Sequence, residues 1–587
     1  MRLSPAALKP SVVLRFWGQV LWALVVMQTV AGTCRAQGPV WDWAISYGGP
    51  GYEYCYDLAV DPEGNIVGTG YFQGIVDFDP GPGVNALDAQ GGLGIYLLKL
   101  NDQGEHIWAK AIGGPGYKTG ANVEIDPAGN IYLSGQFKYS IDFDPGPGTY
   151  YLTSNGELDA YIAKFNASGE LLWAINFGGA DNDAAGNLVL DSVHGALYVA
   201  SNFSQTVDFD PGPGDSTVQA VNISDAYIAR FDTAGIFDWV RTISASVVAH
   251  WGGAALSPSG DGGVVCAGYF EGTIDLDPDT TTTLIENSVG GRDAFVCALD
   301  STGELVWAWR IGGPGFEDVR HVASDPSGSL ALTGHFQNTM DFDPGAGTTP
   351  LTSAGDYDMF VMSITGEGDF AWVRQIPGPN ITQGMALLTG ALGTGAICAT
   401  GYNSGIADLD PPPGAGQIVT SAGNDDAIIV CWDSAGQFIF GQSLGGFAPD
   451  YLLALAGLPD GSLAMGGSFF SPEIAVGGSM LTNAIDFAST GDGFIARSHM
   501  SFTGTPEAGP TTDLLVWPNP VNDRLFLAST MNLSGAAVEF FDMLGKRVLS
   551  TRYASCLDVS SIASGAFVMR IHGEDGHARS RTIIIAR

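Results

Sequence analysis

The phrase Asp-Phe-Asp-Pro-Gly-Pro-Gly occurs at 77–83, 142–148 and 208–214, and looser copies begin at Asp275, Asp341 and Asp408. The first aspartate of each copy follows the last by 65, 66, 67, 66 and 67 residues. A period that long and regular requires a repeat architecture, in which each unit buries its apolar faces against its neighbours.

Each period holds four short strand-like pieces. The first precedes a turn of the form Asp-Pro-x-Gly-Asn (61–65, 126–130; 325–329 is a relative), in which Pro presets φ and Gly accepts the positive φ that closes the turn. The second runs from that turn into the Asp-x-Asp phrase. The third is typified by DAYIAKF (159–165), with relatives starting at Gly94, Asp225, Asp293, Asp358, Asp426 and Asp492. The fourth carries Trp-Ala, as in HIWAKAIGG (106–114) and LLWAINFGG (171–179). Short runs of roughly alternating polarity between turn residues are strands, and no helical period is evident outside the N-terminus.

Four antiparallel strands repeated radially make the blade of a β-propeller. Third-strand and fourth-strand copies each number seven, but the chain opens on a fourth strand (WDWAISYGG, 41–49) and its last unit stops after a third. The N-terminal strand is therefore expected to complete the last unit and close a seven-bladed ring, which removes free sheet edges. A linear solenoid is the competing architecture, and it has no use for the offset.

The combination of Asp-Ala-Tyr/Phe, Gly-x-Leu-x-Trp-Ala, Gly-Gly-Pro-Gly and Asp-Pro-x-Gly-Asn resembles the SBBP-type bacterial β-propeller repeat over about residues 41–500. The resemblance implies a fold and little about activity, because propellers host many functions.

The repeated polar residues are the site candidates. Two carboxylates at i and i+2 of an extended strand face one side. Six pairs are thereby candidate calcium ligands: Asp77 with Asp79, Asp142 with Asp144, Asp208 with Asp210, Asp275 with Asp277, Asp341 with Asp343, and Asp408 with Asp410. Hard oxygen donors suit that ion. The alternative is an Asp-Pro turn whose carboxylates accept main-chain N–H bonds. Trp43, Trp108, Trp173, Trp239, Trp307 and Trp372, with Phe440 in the seventh copy, read as packing between units rather than as sugar platforms. The third-strand aspartates (Asp159, Asp225, Asp293, Asp358, Asp426, Asp492) read as acceptors for backbone donors at strand entry. The offsets of Cys266 and Cys297, and of Cys398 and Cys431, place each pair opposite one another on adjacent strands. In an exported protein both are possible disulfides, and buried small apolar side chains are the other reading.

No nucleophile–base set, HExxH, Gly-x-Ser-x-Gly or zinc spacing is present. Scattered acids can still meet on a propeller face, where glycoside chemistry needs two carboxylates. A non-catalytic binding or adhesion module for a glycan or protein is thus set against a secreted polysaccharide hydrolase or lyase. The net charge of −38 disfavours nucleic acid as a partner.

The chain ends place it outside the cell. Basic Arg2, Lys9 and Arg15, an apolar run from Phe16 to Val30 and Cys34-Arg35-Ala36 make residues 1–36 a signal peptide. The alternative is a lipoprotein signal with Cys34 as the acylated residue. No later apolar stretch is long enough for a spanning helix. The period, over residues 37–500, ends at a Gly/Pro/Ser/Thr-rich linker (501–513), and 514–587 reads as a small β-sandwich. Pro518-Asn519-Pro520, Asp542 with Gly545-Lys546, Leu557-Asp558-Val559 and Gly565 with Phe567 resemble the type A C-terminal sorting domain of the type IX secretion system of Bacteroidota. That resemblance implies export, contact with the type IX machinery, and release or attachment at the outer-membrane surface.

Overall fold

The computed structural model describes residues 39–250, 256–258, 262–278, 283–325, 328–392, 395–485 and 490–500. Toward the C-terminus it describes 514–517, 524–529, 536–542, 546–552, 556–563, 565–572 and 578–585. The expected signal peptide (1–36) and the expected linker (501–513) lie outside the described residues. Among the described residues every regular element is a strand, and no helix is long and apolar enough to cross a membrane.

Seven sheets of the same antiparallel design follow one another along the chain. The first is built from Tyr54–Val60, Ile66–Asp77, Ala86–Leu100 and His106–Ile112 in that order. The second to sixth have as their first strands Lys118–Ile125, Asn187–Asp191, Leu256–Pro258, Asp318–Ser324 and Thr382–Ala391. The fourth sheet adds Val248–His250 beside Leu256–Pro258. The seventh comprises Asp450–Gly457, Leu463–Phe469, Asp492–Met500 and, as its outer strand, Pro39–Tyr47. That last pairing runs from Pro39 opposite Met500 to Tyr47 opposite Gly493. The first strands of consecutive sheets touch one another, and Tyr54–Val60 touches both Lys118–Ile125 and Asp450–Gly457.

Second and third strands are almost wholly buried where they pair along the seven-residue repeat motif, as in Ile131–Phe137 and Asp358–Ile364. Aromatic residues fill the spaces between them. Phe72, Phe78 and Tyr96 are fully buried and meet at ring distances of 4.9–6.5 Å. The next unit repeats the cluster with Phe137, Phe143 and Tyr161. The Phe of the Asp-Phe-Asp phrase is thus a core residue, which gives the repeat a packing reason to keep it.

The C-terminal strands form a three-stranded and a four-stranded antiparallel sheet, with Val538, Phe540, Met569 and Ile571 fully buried in their own apolar cluster.

Candidate functional site

The Asp-x-Asp phrases do not present paired carboxylates on one strand face, which corrects the geometry expected from the sequence. In every copy the strand ends at the first aspartate: Asp77, Asp142, Asp208, Asp275, Asp341 and Asp408. The second aspartate of each pair (Asp79, Asp144, Asp210, Asp277, Asp343, Asp410) already lies in the loop. The physical reason is the Pro that follows, which has no N–H to extend the ladder.

Both carboxylates are instead taken up by main-chain donors. Asp142 Oδ1 accepts the N–H groups of Asp144 at 3.1 Å and Tyr150 at 2.7 Å, and Asp144 Oδ1 accepts that of Gly146 at 2.8 Å. The same bonds recur in three further copies. Asp77 accepts from Asp79 and Asn85, and Asp79 from Gly81. Asp208 accepts from Asp210 and Ser216, and Asp210 from Gly212. Asp341 accepts from Asp343 and Thr349, and Asp343 from Gly345. In the fourth copy Asp277 donates its N–H to Asp275 Oδ1 at 3.1 Å, which also accepts from Leu284. In the sixth Asp408 accepts from Asp410 and Gln417, and Asp410 from Ala415. Among the described residues no group of three or more His, Cys, Asp and Glu is placed to hold a metal ion.

The tryptophans reach the neighbouring unit. Nε1 of Trp43, Trp239, Trp307 and Trp372 donates to the carbonyl of Asp102, Ser301, Gly366 and Ser434 at 3.0–3.1 Å. Each acceptor lies in the turn before the next unit's fourth strand. Trp108 and Trp173 lie over Gly169 and Gly235 of the equivalent turns, where an added Cβ would come within 3.1 and 3.2 Å of the indole.

The third-strand aspartates take main-chain donors four residues upstream, as in Asp159 from Asn155, Asp358 from Ala354 and Asp426 from Ala422. The first glycine of Gly-Gly makes room for them: a Cβ at Gly48 would fall 2.0 Å from the Asp492 carboxyl. Beside them sits a second acid that the sequence reading missed. Glu53, Asp183, Glu317 and Asp450 each accept from the second glycine four residues earlier, at 2.6–3.0 Å. The Gly-Gly-x-x-x-acid spacing was the signal for it. Burial pushes Glu53 up to about 8 and Asp183 and Glu317 to about 7. In the copy that carries Gly94 in place of the third-strand Asp, Lys118 replaces the acid. The Lys118 ammonium bonds the carbonyls of Leu93 and Gly114 at 2.6 and 2.7 Å, and burial lowers it to about 8.

Cys398 and Cys431 form a disulfide with a Cα–Cα distance of 4.1 Å. Cys266 and Cys297 are directly opposite each other but are buried free thiols. The difference follows from register. Counted from the equivalent rungs Asn403–Asp426 and Phe270–Asp293, the disulfide lies five rungs away and the thiol pair four. Antiparallel rungs alternate between close and wide Cα spacing, and 4.1 Å is the close kind, so Cys266 and Cys297 occupy a wide rung.

One cavity of about 590 Å³ is lined by the first strands of six sheets. Its polar lining is uneven. Asp57 Oδ2 accepts from Asn122 Nδ2 at 2.6 Å and from Val123 N at 2.8 Å, and Asn122 Oδ1 accepts from Leu188 N at 3.0 Å. These bonds link the first three units across the cavity wall. Burial raises Asp57 to about 7, and burial with the neighbouring Asp57 charge raises Glu124 to about 8. Across the cavity lie Arg320 and His321, and burial lowers His321 to about 4.

Residues 515–586 match the family of the secretion system C-terminal sorting domain. The chain carries a sorting domain. It is therefore a secreted or outer-membrane surface-attached protein that engages the type IX secretion machinery. Of the sorting-motif residues, Pro518, Asn519, Pro520 and Gly545 lie outside the described residues; Lys546 is exposed, Asp542 ends the strand Ala537–Asp542, and Gly565 opens the strand Gly565–His572.

Among curated proteins the chain is 26% identical over 399 residues to an uncharacterized WD repeat-containing protein L264 of Acanthamoeba polyphaga mimivirus, covering 57% of this chain and 28% of that one. It is 24% identical over 341 residues to the regulatory protein FlaEY of Caulobacter vibrioides, covering 53% and 34%. The chain thus matches about a third of the length of these relatives. Solved structures that resemble it include Sqt1 from Chaetomium thermophilum, with 10% identity, a TM-score of 0.30 and coverage of 79% of this chain and 100% of that one. Rhamnogalacturonan lyase PL11 of Bacillus licheniformis has 12% identity, a TM-score of 0.25 and coverage of 94% and 91%. Likenesses with TM-scores of 0.25–0.30 carry no weight on activity.

Proposed function

We propose that the seven sheets form a closed, seven-bladed propeller of the SBBP-repeat type, and that it serves at the cell surface or beyond as a non-catalytic binding module. One observation carries this reading: the repeated aspartates and tryptophans hydrogen-bond to main chain within and between units. The repeated polar groups therefore hold the fold, and what remains for function is what differs from unit to unit. An array of polysaccharides and surface proteins, read for retention and for released product, tests it. Retention without product supports the reading, and turnover overturns it.

A second reading rests on Asp57 and Glu124. Two carboxyls with raised proton affinity in one cavity are the arrangement an acid–base hydrolase or lyase uses. Product release that Glu124→Gln abolishes while Tm holds would favour it.

A further inference from the structure

The repeat supplies its own internal comparison at one rung. In five units the carbonyl of a first-strand residue lies where a Cβ on the second-strand glycine would come within 2.0 Å of it: Tyr54 at Gly70, Thr119 at Gly135, Asp318 at Gly334, Gln383 at Gly401 and Tyr451 at Gly467. The glycine is constant because the backbones touch. The residues on this rung are not constant. Tyr54 faces Tyr71, Thr119 faces Gln136, Asp318 faces His335, Gln383 faces Tyr402 and Tyr451 faces Ser468. All are aromatic or polar, although the second strands on which half of them sit are otherwise almost wholly buried.

The variable rungs converge. Tyr71 and Tyr54 lie 5.1 Å apart between ring centres, Tyr54 and Phe470 5.9 Å, Phe470 and Tyr451 6.3 Å, and Tyr451 and Tyr402 5.4 Å. All five rings are partly exposed. Tyr56, which packs on Tyr54 and Tyr71, also lines the cavity, so the arc borders its mouth. Burial and the Asp425 charge raise Tyr402, and the charge of Arg320, whose Nε lies 2.8 Å from Asp318 Oδ2, acts on it more weakly in the opposite sense. The rung holds unsatisfied groups in the fifth and seventh sheets. Asp318 Oδ1, His335 Nδ1 and Ser468 Oγ are buried without a hydrogen-bond partner, on residues 6%, 7% and 0% exposed. A buried polar atom is costly to leave unpaired, so these three, two in the fifth sheet and one at the equivalent rung of the seventh, point to a ligand that completes them.

We propose that this arc is a binding site for a carbohydrate chain, with sugar rings stacked on Tyr54, Tyr71, Phe470 and Tyr451 and hydroxyl groups bonded at Asp318 and His335. The inference rests on the binding-module reading and names its ligand. Tyr54 and Tyr71 lie 5.1 Å apart at 30° and Phe470 stands edge-on between Tyr54 and Tyr451, so ring faces at spacings of 5.1–6.3 Å are offered to the apolar faces of successive pyranoses. Hydroxyl groups both donate and accept, which suits an unpaired carboxylate oxygen and an unpaired imidazole nitrogen together. Nucleic acid also stacks on aromatic rings, but the chain's −38 charge opposes it.

The full secreted chain is tested by affinity electrophoresis and calorimetry against mixed-linkage β-glucan, xylan, galactomannan and polygalacturonate. The expected result is retention on at least one polymer, with affinity falling at least tenfold in Tyr54→Ala and in Tyr451→Ala and severalfold in Asp318→Asn, at unchanged Tm. Ile236→Ala, an exposed apolar residue in the turn where the third strand ends, leaves binding intact. Tyr54→Phe, which keeps the ring, retains most of the affinity if Tyr54→Ala fails to fold. Binding of no polymer, or binding that the tyrosine variants do not weaken, overturns the proposal. A protein ligand lost in the same variants overturns the carbohydrate assignment and leaves the binding-module reading standing. Product release that the arc variants reduce keeps the site and removes the non-catalytic reading.

Discussion

Trp43 Nε1 donates to the main-chain oxygen of Asp102, 3.0 Å away and 59 residues later, so the outer strand contributed by the N-terminus is fastened to the turn of the first sheet. The same bond recurs from Trp372 to Ser434, where the indole is buried to 8% exposure and packs over Gly436 at φ +73°. Trp372→Ala is expected to cost about 3–5 kcal/mol, read as a lower denaturant midpoint. Gly436→Ala is expected to destabilise independently, because it meets both the positive φ and the indole at 2.7 Å.

The Asp-x-Asp loops separate two readings by a single atom. If Asp142 serves only as an acceptor for Asp144 and Tyr150, Asp142→Asn keeps one suitable oxygen and loses little, whereas Asp142→Ala strands two donors and costs about 1–3 kcal/mol. Calcium coordination needs the charge, so there Asn would be as damaging as Ala, and millimolar calcium would raise the Tm of the wild type alone. Thermal unfolding of the three proteins with calcium and with chelator decides it, and the acceptor pattern is the expected outcome.

The Cys398–Cys431 bond closes a loop of sequence separation 33. Replacing both cysteines by alanine is expected to cost about 2–4 kcal/mol. Peptide mapping without reduction is expected to find that cross-link and to recover Cys266 and Cys297 as thiols that alkylate only after unfolding. A Cys266–Cys297 cross-link in the secreted protein would contradict the register argument.

Much of this was legible in the sequence because repetition turns weak local signals into counts. One Trp-Ala strand proves nothing, but seven copies offset from seven third strands anticipated that Pro39–Tyr47 would pair with Asp492–Met500, as it does. The backbone role of Asp159 and its counterparts was legible for the same reason. The strand-face pairing of Asp77 and Asp79, and of the pairs ending at Asp210, Asp277 and Asp343, was misread because period-two alternation was carried past the residue where the strand stops, just ahead of the proline. The arc from Tyr71 to Tyr402 was invisible because it is defined by where the repeat fails to repeat, and its members come from sheets that only folding makes neighbours. Glu53, Asp183, Glu317 and Asp450 were missed because their alternation with Lys118 and Thr382 hides the pattern until the second glycine's N–H shows what the position does.

Those buried acids set the direction of the pH response. Burial holds Glu53 and Glu124 at about 8, Asp57, Asp183 and Glu317 at about 7, and Asp318, Asp426 and Asp492 at about 6, all above their values in an unfolded chain. A carboxyl with a raised folded value binds its proton more tightly in the folded state. Its contribution is complete below the unfolded value and is lost as pH rises through the folded one. Two histidines oppose this: burial lowers His321 to about 4 and His335 to about 3, so they favour the folded state less as pH falls below 6.5. Asp61 and Asp126, lowered by hydrogen bonds to Asn65 and Asn130 and by Lys99 and Lys164, lose their contribution only in stronger acid. The raised acids outnumber the histidines, which predicts a Tm highest at about pH 4, where the unfolded carboxyls titrate, and falling continuously to about pH 8. Each raised group adds a slope of up to about 1.4 kcal/mol per pH unit while it titrates. Glu53→Gln removes one such group, so its Tm deficit relative to wild type is expected to be largest at about pH 4 and to shrink or reverse by about pH 8. A Tm that rises over that range, or a deficit independent of pH, would show that these carboxyls are ionised in the folded protein.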